Sequence, residues 1–219
     1  MIRRTAPRPV SKTRPRRWPS RIIGLTGSIA MGKSTATALL ARAGIPVFSA
    51  DAAVHDLLGS GGAAVQKVTA RFPGVERSGA IDRAALGKAV FGKPSELAAL
   101  EAILHPLVRK KRAGFYQTAA LSRREVVAVE IPLLFETPQH DAFDMVIVVS
   151  APAFLQRQRA LRRPGMTEAR FKAILARQMP DAKKRLFADA VVPSGLGKRE
   201  TLRCLMRTLK VNLRRCGVP

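Results

Sequence analysis

The chain has 219 residues, of which 47% are hydrophobic and 25% are charged, a balance that is typical of globular proteins and excludes wholesale disorder. No apolar run approaches the roughly 20 residues that a membrane-spanning helix needs, and no apolar segment typical of a signal peptide follows the basic start. The formal charge of +24 favours polyanionic partners such as nucleic acid, an acidic membrane surface or phosphorylated metabolites. Cys204 and Cys216 form neither a disulfide framework nor a zinc signature, so we expect a cytoplasmic protein.

Residues 1–20 form a basic segment with seven Lys or Arg residues, four prolines and no acidic residue. Proline lacks the amide hydrogen that helices and sheets require, so the segment predicts a disordered basic arm. A polyanion-binding tail and a transit peptide are alternatives, although the prolines argue against an amphipathic targeting helix. A dispensable extension, or a start codon placed too early, is the interpretation we favour.

From residue 21 onward, short apolar runs alternate with stretches of helical periodicity, a pattern typical of βαβ units and a parallel sheet. Their continuous apolar character suits strands that helices cover on both faces. Between the second and third runs no convincing strand occurs and leucines recur at helical spacing, which predicts a helical insertion at residues 60–120. The five predicted strands are residues 22–26, 45–49, 126–131, 145–149 and 190–192.

A phosphate-binding motif follows the first predicted strand. The segment GSIAMGKST at residues 27–35 fills every fixed position of the P-loop pattern G-x-x-x-x-G-K-[ST]. Gly27 permits a tight turn, Gly32 permits close approach of the backbone to phosphate, and the helix predicted at residues 33–43, ended by Gly44, directs free N–H groups at the anion. We expect Lys33 to reach the β- and γ-phosphates and Ser34 to bind Mg²⁺. The motif therefore predicts binding of a nucleoside triphosphate.

Asp51 comes directly after the second predicted strand. Ligands of open α/β sheets bind beyond the carboxyl ends of the strands, so we expect Asp51 to lie near the phosphate loop. A carboxylate there can accept the proton of an alcohol that attacks the γ-phosphoryl group. The alternative is that Asp51 only caps the next helix, and taken alone that interpretation is the stronger.

Four arginines, Arg157, Arg159, Arg162 and Arg163, follow the fourth predicted strand. Arg159 and Arg163 are four residues apart, so they share one helix face and can clamp phosphates and stabilise transition-state charge. A solvated basic face is the alternative. The Pro164-Gly165 break and a second helical stretch at residues 167–178 predict a helical hairpin. Residues 152–180, which contain this hairpin, are predicted to act as a lid.

Several separated stretches together resemble the dephospho-CoA kinase family, whose members phosphorylate the ribose 3′-hydroxyl of dephospho-CoA in the last step of coenzyme A synthesis. Their order and spacing make the resemblance more specific than the P-loop alone. It implies a P-loop kinase domain at residues 21–219, built on a doubly wound α/β parallel sheet of five strands with the helical insertion and the lid. The stretches are IGLTGSIAMGKST, GIPVFSAD, DRAALGKAVFG, LHPLV, IPLLFE, the arginine hairpin ending in ARQM, and KKRLFADAVV.

The resemblance also implies residue roles, with Asp51 as catalytic base and Lys33, Arg159 and Arg163 as stabilisers of the transferring phosphoryl group. ATP and Mg²⁺ are the implied cofactors, with Ser34 as the metal contact; Gln178 closes the lid and residues 188–192 pass near adenine. The implied nucleotide-binding residues are Gly27, Ala30, Met31, Gly32, Lys33, Ser34 and Thr35. The implied acceptor-binding residues are Arg83, Phe91, His105, Pro132, Leu133, Leu134 and Glu136, of which Glu136 fixes its loop.

His105 precedes a proline, and two interpretations of this pair stay open. Pro106 removes one helix hydrogen bond and is expected to kink its helix, which would turn His105 toward the crevice. Alternatively, His105 is a satisfied residue at a helix break.

The chain departs from the family pattern at four places. Ala30 stands where the loop usually has glycine, which restricts the backbone there. Ser49 replaces the first residue of an Asp-x-Asp pair, which puts a paired-carboxylate metal site in doubt, and Glu130 is one methylene longer than the usual aspartate. Pro193-Ser194-Gly195 stands where asparagine is common. None of these departures affects Lys33, Ser34 or Asp51.

The leading hypothesis is therefore an ATP-dependent kinase that converts dephospho-CoA to coenzyme A and ADP. Another small P-loop nucleoside or nucleotide kinase is the enzymatic alternative. A nucleic-acid-binding P-loop regulator is the alternative from another class, and the 5% content of aromatic residues argues against it. We expect a small-molecule substrate, no specific nucleic acid, no membrane, and a monomer or weak homo-oligomer. The apolar stripe of the last helix predicts packing on the sheet, with a basic membrane-surface helix as the alternative.

Overall fold

A computed structural model describes residues 21–136 and 143–215 of the chain. The predicted arm at residues 1–20 lies outside the described residues. In chain order, the elements are β1 (Arg21–Thr26), α1 (Lys33–Arg42), β2 (Val47–Ser49), α2 (Ala50–Leu58), α3 (Val65–Arg71), β3 (Glu76–Arg77), β4 (Ala80–Ile81), α4 (Arg83–Val90), α5 (Pro94–Leu121), β5 (Val126–Glu130), β6 (Met145–Ser150), α6 (Ala153–Leu161), α7 (Glu168–Ala176), α8 (Asp181–Phe187), β7 (Ala190–Pro193) and α9 (Lys198–Arg215).

The five predicted strands form one sheet in the order β2-β5-β1-β6-β7. β1 pairs in parallel with both β5 and β6, and β6 pairs in parallel with β7. Residues of β5 and β6 are almost wholly buried, as expected for strands with helices on both faces. The predicted fold class and all five strands are confirmed, with ends that differ by one or two residues.

The chain forms two compact units, and the boundary between them lies within β2. One unit contains the described parts of residues 1–47 and 122–219, and the other contains Phe48–Leu121. The extents predicted for the insertion and the lid stay predictions.

The core of the first unit lies between the central strands and the helices α1 and α9. Leu25 and Ile147 of the sheet are fully buried in it, together with Leu40 of α1 and Leu205 of α9, and Leu209 is 2% exposed. Each such leucine contributes about 1.5–3 kcal/mol through burial. The stripe of the last helix therefore packs on the sheet, as predicted. In the part of the chain that the structure describes, no helix is long and apolar enough to cross a membrane.

The second unit is mainly helical, with its own core around Leu57, Val68, Leu86 and Leu100. It also contains a two-stranded antiparallel hairpin, β3 with β4, where no strand was expected. This expectation was wrong because each strand is only two residues long, which is too short for an alternating pattern. The sequence signal of the hairpin is confined to its turn at residues 78–79, where both φ angles are positive, +50° and +74°.

The long helix α5 continues through Pro106, so the helix break that one interpretation placed beside His105 is absent. A proline inside a helix removes one backbone hydrogen bond. Leu100 and Leu104 are buried in the core of the second unit just before it. Their packing anchors the helix and offsets that loss.

Candidate active site

The phosphate loop joins β1 to α1, and its two fixed glycines stand where a side chain would not fit. A Cβ atom added to Gly27 would overlap the carbonyl oxygen of Val149 in β6. Gly32 is the N-cap residue of α1 with φ +92°, and an added Cβ would lie 2.8 Å from the side-chain oxygen of Ser194. Glycine is therefore required at both positions for two reasons: the tight turn that the motif predicts, and the close approach of Val149 to Gly27 and of Ser194 to Gly32.

Lys33 is the first residue of α1 and folds back over the loop. Its Nζ donates to the carbonyl oxygens of Gly27, at 2.7 Å, and Ser28, at 3.1 Å. The helix itself has no side-chain cap and no acidic residue in its first turn. Its N–H groups and the positive end of its dipole are thus left for an anion, as a phosphate site requires.

A cleft of about 310 Å³ opens beside the phosphate loop within the first unit. Among the described residues that line it, Lys33, Arg159, Arg163 and Lys198 are cationic and none is a carboxylate. This volume is within the range of small-molecule sites, and the charge favours a polyanionic ligand. The residues that line the cleft are Ala30, Gly32, Lys33, Ser34, Thr35, Arg159, Arg163, Ser194, Gly197, Lys198 and Thr201.

The cleft thus brings together most of the nucleotide-binding residues that the sequence predicts and both predicted lid arginines. Met31 points elsewhere: it is 2% exposed, and its Sδ accepts a hydrogen bond from the backbone N–H of Ala151. Ser194, Gly197, Lys198 and Thr201 follow the predicted adenine segment, and the sequence did not predict them as site residues. Their only sequence signal was position, directly after the last strand.

Two glutamines hold one residue of the phosphate loop from both sides. Gln178 accepts a hydrogen bond from the Ile29 N–H at 2.9 Å, and Gln156 of α6 donates one to the Ile29 carbonyl at 2.9 Å. Ala30, beside them, packs with Phe171 of α7. The predicted lid segment therefore attaches to the loop through Gln178 and through Gln156, which the sequence did not indicate; the role of Gln178 in closing the lid stays a prediction.

Arg157 joins the two helices of the predicted lid by an ion pair with Glu168. Its Nε donates to both carboxylate oxygens, at 3.1 and 3.0 Å, and its Nη2 lies 2.9 Å from Oε2. These hydrogen bonds lower the pKa of Glu168 and raise the pKa of Arg157. Both side chains are exposed, so the pair orients α6 and α7 but contributes little stability.

The segment after β5 contains four of the predicted acceptor-binding residues. The Pro132 carbonyl accepts a hydrogen bond from Thr26 Oγ1 at 3.3 Å, and Leu133 is 43% exposed. Leu134 is fully buried and packs close to Gly24 of β1. The side chain of Leu133 is therefore exposed and that of Leu134 is not, and the roles of both in acceptor binding stay predictions.

Glu136, at the end of that segment, anchors it to α8. Its Oε1 accepts a hydrogen bond from the Met179 N–H at 2.7 Å and lies 3.0 Å from Nζ of Lys184. Lys184 is completely buried and makes no hydrogen bond of good geometry with any residue that the structure describes, so this ion pair is its main compensation. The sequence did not indicate Lys184, because it lies between Lys183 and Arg185, and a run of basic residues is typical of a solvated surface.

Asp51 belongs to the second unit and is the second residue of α2. The N-cap of that helix is Ser49, whose Oγ accepts a hydrogen bond from the Ala52 N–H at 3.4 Å. The interpretation of Asp51 as the cap is therefore wrong. Its side chain is exposed, and its role as base stays a prediction.

Arg83, Phe91 and His105, the other predicted acceptor-binding residues, also lie in the second unit. Nη1 of Arg83 lies 3.4 Å from Nδ1 of His55, Phe91 is 74% exposed, and His105 is exposed on α5. All three can be reached by a ligand, and their roles stay predictions.

The parallel sheet with a phosphate loop after its central strand, and a cationic cleft bordered by Arg159 and Arg163, are typical of a P-loop kinase. The dephospho-CoA kinase family profile matches residues 21–197. The chain belongs to this family.

Individual relatives agree with this assignment. The chain is 58% identical over 198 residues to a dephospho-CoA kinase of Rhodospirillum rubrum. The alignment covers 90% of this chain and 93% of the relative. It is 50% identical over 171 residues to a dephospho-CoA kinase of Brucella melitensis, covering 78% and 84% of the two chains.

Solved structures show the same similarity. A Thermus thermophilus protein aligns with a TM-score of 0.76 at 34% identity over 88% of this chain and 97% of its own. A dephospho-CoA kinase from Campylobacter jejuni aligns with a TM-score of 0.58 at 25% identity over 89% and 98%.

Proposed function

We propose that this kinase transfers the γ-phosphoryl group of ATP to the ribose 3′-hydroxyl of dephospho-CoA, giving coenzyme A and ADP. Family membership supports the acceptor. The observation that carries the chemistry is the cationic cleft at the uncapped start of α1, where Lys33, Arg159 and Arg163 surround space for phosphates. In phosphoryl transfer, catalysis is mainly positioning and stabilisation of charge on the transferred group, and this cleft supplies both.

The acceptor hydroxyl must lose its proton as its oxygen bonds to phosphorus and the bond to ADP breaks. We assign Asp51 as the group that accepts this proton, supported by its exposed position directly after β2. Arg159 and Arg163 would stabilise the charge that develops on the phosphoryl oxygens, and Lys33 would hold the β- and γ-phosphates.

Mg²⁺ is proposed as the metal, with the hydroxyl of Ser34 as its protein contact. Ser34 lines the cleft, and among residues 21–136 and 143–215 no group of three or more His, Cys, Asp or Glu residues could hold a metal. A site with one protein oxygen fits Mg²⁺, which keeps several waters and takes other ligands from substrate phosphates. When bound, it would neutralise charge between the phosphates.

We further propose that the acceptor contacts Arg83, Phe91, His105, Pro132 and Leu133, with Glu136 holding its loop. A cytoplasmic enzyme, monomeric or weakly associated, is the setting we propose. The sequence supports this setting through its lack of a disulfide framework, with Cys204 and Cys216 as its two cysteines.

The direct test is an assay of the purified protein with ATP, Mg²⁺ and dephospho-CoA, with detection of coenzyme A and ADP. Lys33→Ala should abolish turnover. A panel of nucleosides and nucleotides at equal concentration compares kcat/KM values, and a better substrate in that panel would replace the proposed acceptor.

The role of Asp51 is tested by Asp51→Asn, which keeps the size of the side chain and removes the base. We expect kcat to fall by about 10²–10⁴-fold while ATP affinity is retained. Asp56→Asn is the matched control, since Asp56 is an exposed carboxylate on the same helix that pairs with Lys111 at 2.9 Å. If both variants turn over at similar rates, Asp51 is not the base.

A further inference from the structure

We propose that Ser194 is a positioning residue that holds the guanidinium of Arg159 at the phosphate loop and thereby sets the contribution of Arg159 to nucleotide binding and phosphoryl transfer. The proposal rests on the proposed function in one respect, that Arg159 acts on the phosphates. Ser194 lies in the turn between β7 and α9 and is 7% exposed.

Ser194 joins three parts of the first unit. Its N–H donates to the carbonyl of Ser150 at the end of β6, at 2.8 Å, and its Oγ donates to the carbonyl of Met31 in the phosphate loop, at 2.6 Å. The same Oγ accepts a hydrogen bond from Nη1 of Arg159 at 3.1 Å, and the Ser194 carbonyl accepts one from Nη2 at 2.8 Å. One residue therefore fixes both the loop and the arginine, relative to the end of a buried strand.

The two bonds fix the plane of the Arg159 guanidinium without neutralising it. Both acceptors are uncharged oxygens, and the ion pairs of the described part of the chain do not include Arg159. A carboxylate partner would compete with phosphate for the same N–H groups, whereas a hydroxyl and a carbonyl leave the full positive charge available. Arg163 lines the same cleft, and no hydrogen bond of its side chain is found among residues 21–136 and 143–215.

The space around Ser194 makes a hydroxyl of this size suitable. A Cβ at Gly32 would lie 2.8 Å from the Oγ and 3.0 Å from the Cβ of Ser194, so the side chain packs tightly against the loop backbone. A larger residue would push the loop outward. Alanine fits, but it removes both Oγ bonds and leaves the Met31 carbonyl without this donor, while the carbonyl bond to Nη2 remains.

The test is a double-mutant cycle of Ser194→Ala with Arg159→Ala, read as kcat for coenzyme A formation and as the Kd for ATP by titration. In the otherwise unchanged enzyme we expect Ser194→Ala to lower kcat and to raise the Kd for ATP, so that the ratio of kcat to this Kd falls about tenfold. The KM for dephospho-CoA should be unchanged. In the Arg159→Ala background the effect of Ser194→Ala should be clearly smaller, because only the loss of the bond to the Met31 carbonyl then remains. Arg163→Ala is the matched background, in which Ser194→Ala should keep its full effect.

Equal losses from Ser194→Ala in all three backgrounds would overturn the proposal, since a purely structural role does not depend on Arg159. Ser194→Cys, similar in volume and a weak hydrogen-bonding group, is run through the same cycle with thermal melting, so that a folding defect in the alanine variant is recognised. If the unchanged protein forms no coenzyme A, the proposed function fails, and the cycle in ATP affinity still decides the role of Ser194.

Discussion

Ala30 occupies a left-handed backbone conformation, φ +59°, at a loop position where the family resemblance leads us to expect glycine. For a residue with a side chain this conformation costs about 1–2 kcal/mol. Ala30 is 6% exposed and its methyl group packs with Ala160 and Phe171, which recovers about 0.8 kcal/mol. The departure is therefore tolerated because contact with α6 and α7 largely offsets the backbone strain.

We predict that Ala30→Gly changes the free energy of unfolding by less than about 1 kcal/mol, since relief of strain is balanced by the lost methyl contact and a more flexible unfolded chain. Urea unfolding measures this. Ala160→Gly removes a methyl from the same cluster, within α6 and without relief of strain, and should destabilise by about 1–2 kcal/mol. Equal destabilisation by the two variants would contradict the strain argument.

Cys204 illustrates how burial controls reactivity at a single residue. Burial raises the pKa of its thiol, and the nearby charge and hydrogen bond of Glu200, with Sγ 3.7 Å from Oε1, raise it further. At a given pH the reactive thiolate is therefore scarcer than in a free cysteine.

In a Cys216→Ser background we predict that Cys204 reacts with a thiol reagent more slowly than a cysteine peptide at pH 8, and that the rate still rises with pH where the peptide has levelled off. Glu200→Gln should lower the thiol pKa and increase the rate at pH 8. A rate equal to that of the peptide, in the folded protein, would show that the thiol is not protected.

The contacts between elements of the first unit depend on buried polar side chains. Gln156 of α6 is 6% exposed and donates to the Ile29 carbonyl, whereas Gln158 two residues later is exposed. We predict that Gln156→Leu costs about 1–3 kcal/mol of stability, because the part-buried Ile29 carbonyl loses its donor, and raises the KM for ATP. Gln158→Leu is the control and should change neither quantity. If Gln156→Leu leaves both values unchanged, the loop does not depend on this clamp.

The Glu136–Lys184 pair connects the segment after β5 to α8, and its two members are not equivalent. Glu136→Gln leaves the fully buried ammonium of Lys184 without its counter-charge and should cost about 3–5 kcal/mol. Lys184→Met removes the buried charge itself and leaves Glu136 with its bond from the Met179 N–H, so we expect a smaller loss. Denaturant unfolding of both variants measures the difference, and the reverse order would contradict this account.

At the scale of the whole molecule, the charge of +24 produces a field that attracts any polyanion, and seven of the 39 basic residues lie in residues 1–20. We predict weak binding to single-stranded DNA at low salt that is lost by about 200 mM salt and is weaker still after deletion of residues 1–20. The same deletion should leave kcat for coenzyme A formation unchanged. Sequence-selective binding that survives this salt concentration would instead favour the nucleic-acid regulator considered above.

Local patterns in the sequence were sufficient to predict the strands, the phosphate loop, the first helix and the apolar stripe of α9. Each of these is encoded by neighbours along the chain: continuous apolar runs for buried strands, glycines and a lysine at fixed spacing for the loop, and a 3.6-residue period for helices. The hairpin at β3 and β4 escaped notice because two residues per strand are too few to show a period.

The sequence by itself therefore determined the fold class, the P-loop and the family, since these depend on residues close together or on motifs in a given order. Only the tertiary structure decided which polar side chains bind one another across the chain: Ser194 with Arg159, Gln156 with Ile29, and Lys184 with Glu136. Their partners lie 35, 127 and 48 positions away, and a buried hydrogen bond or ion pair at such a separation is set by packing geometry that leaves no periodic trace in the sequence.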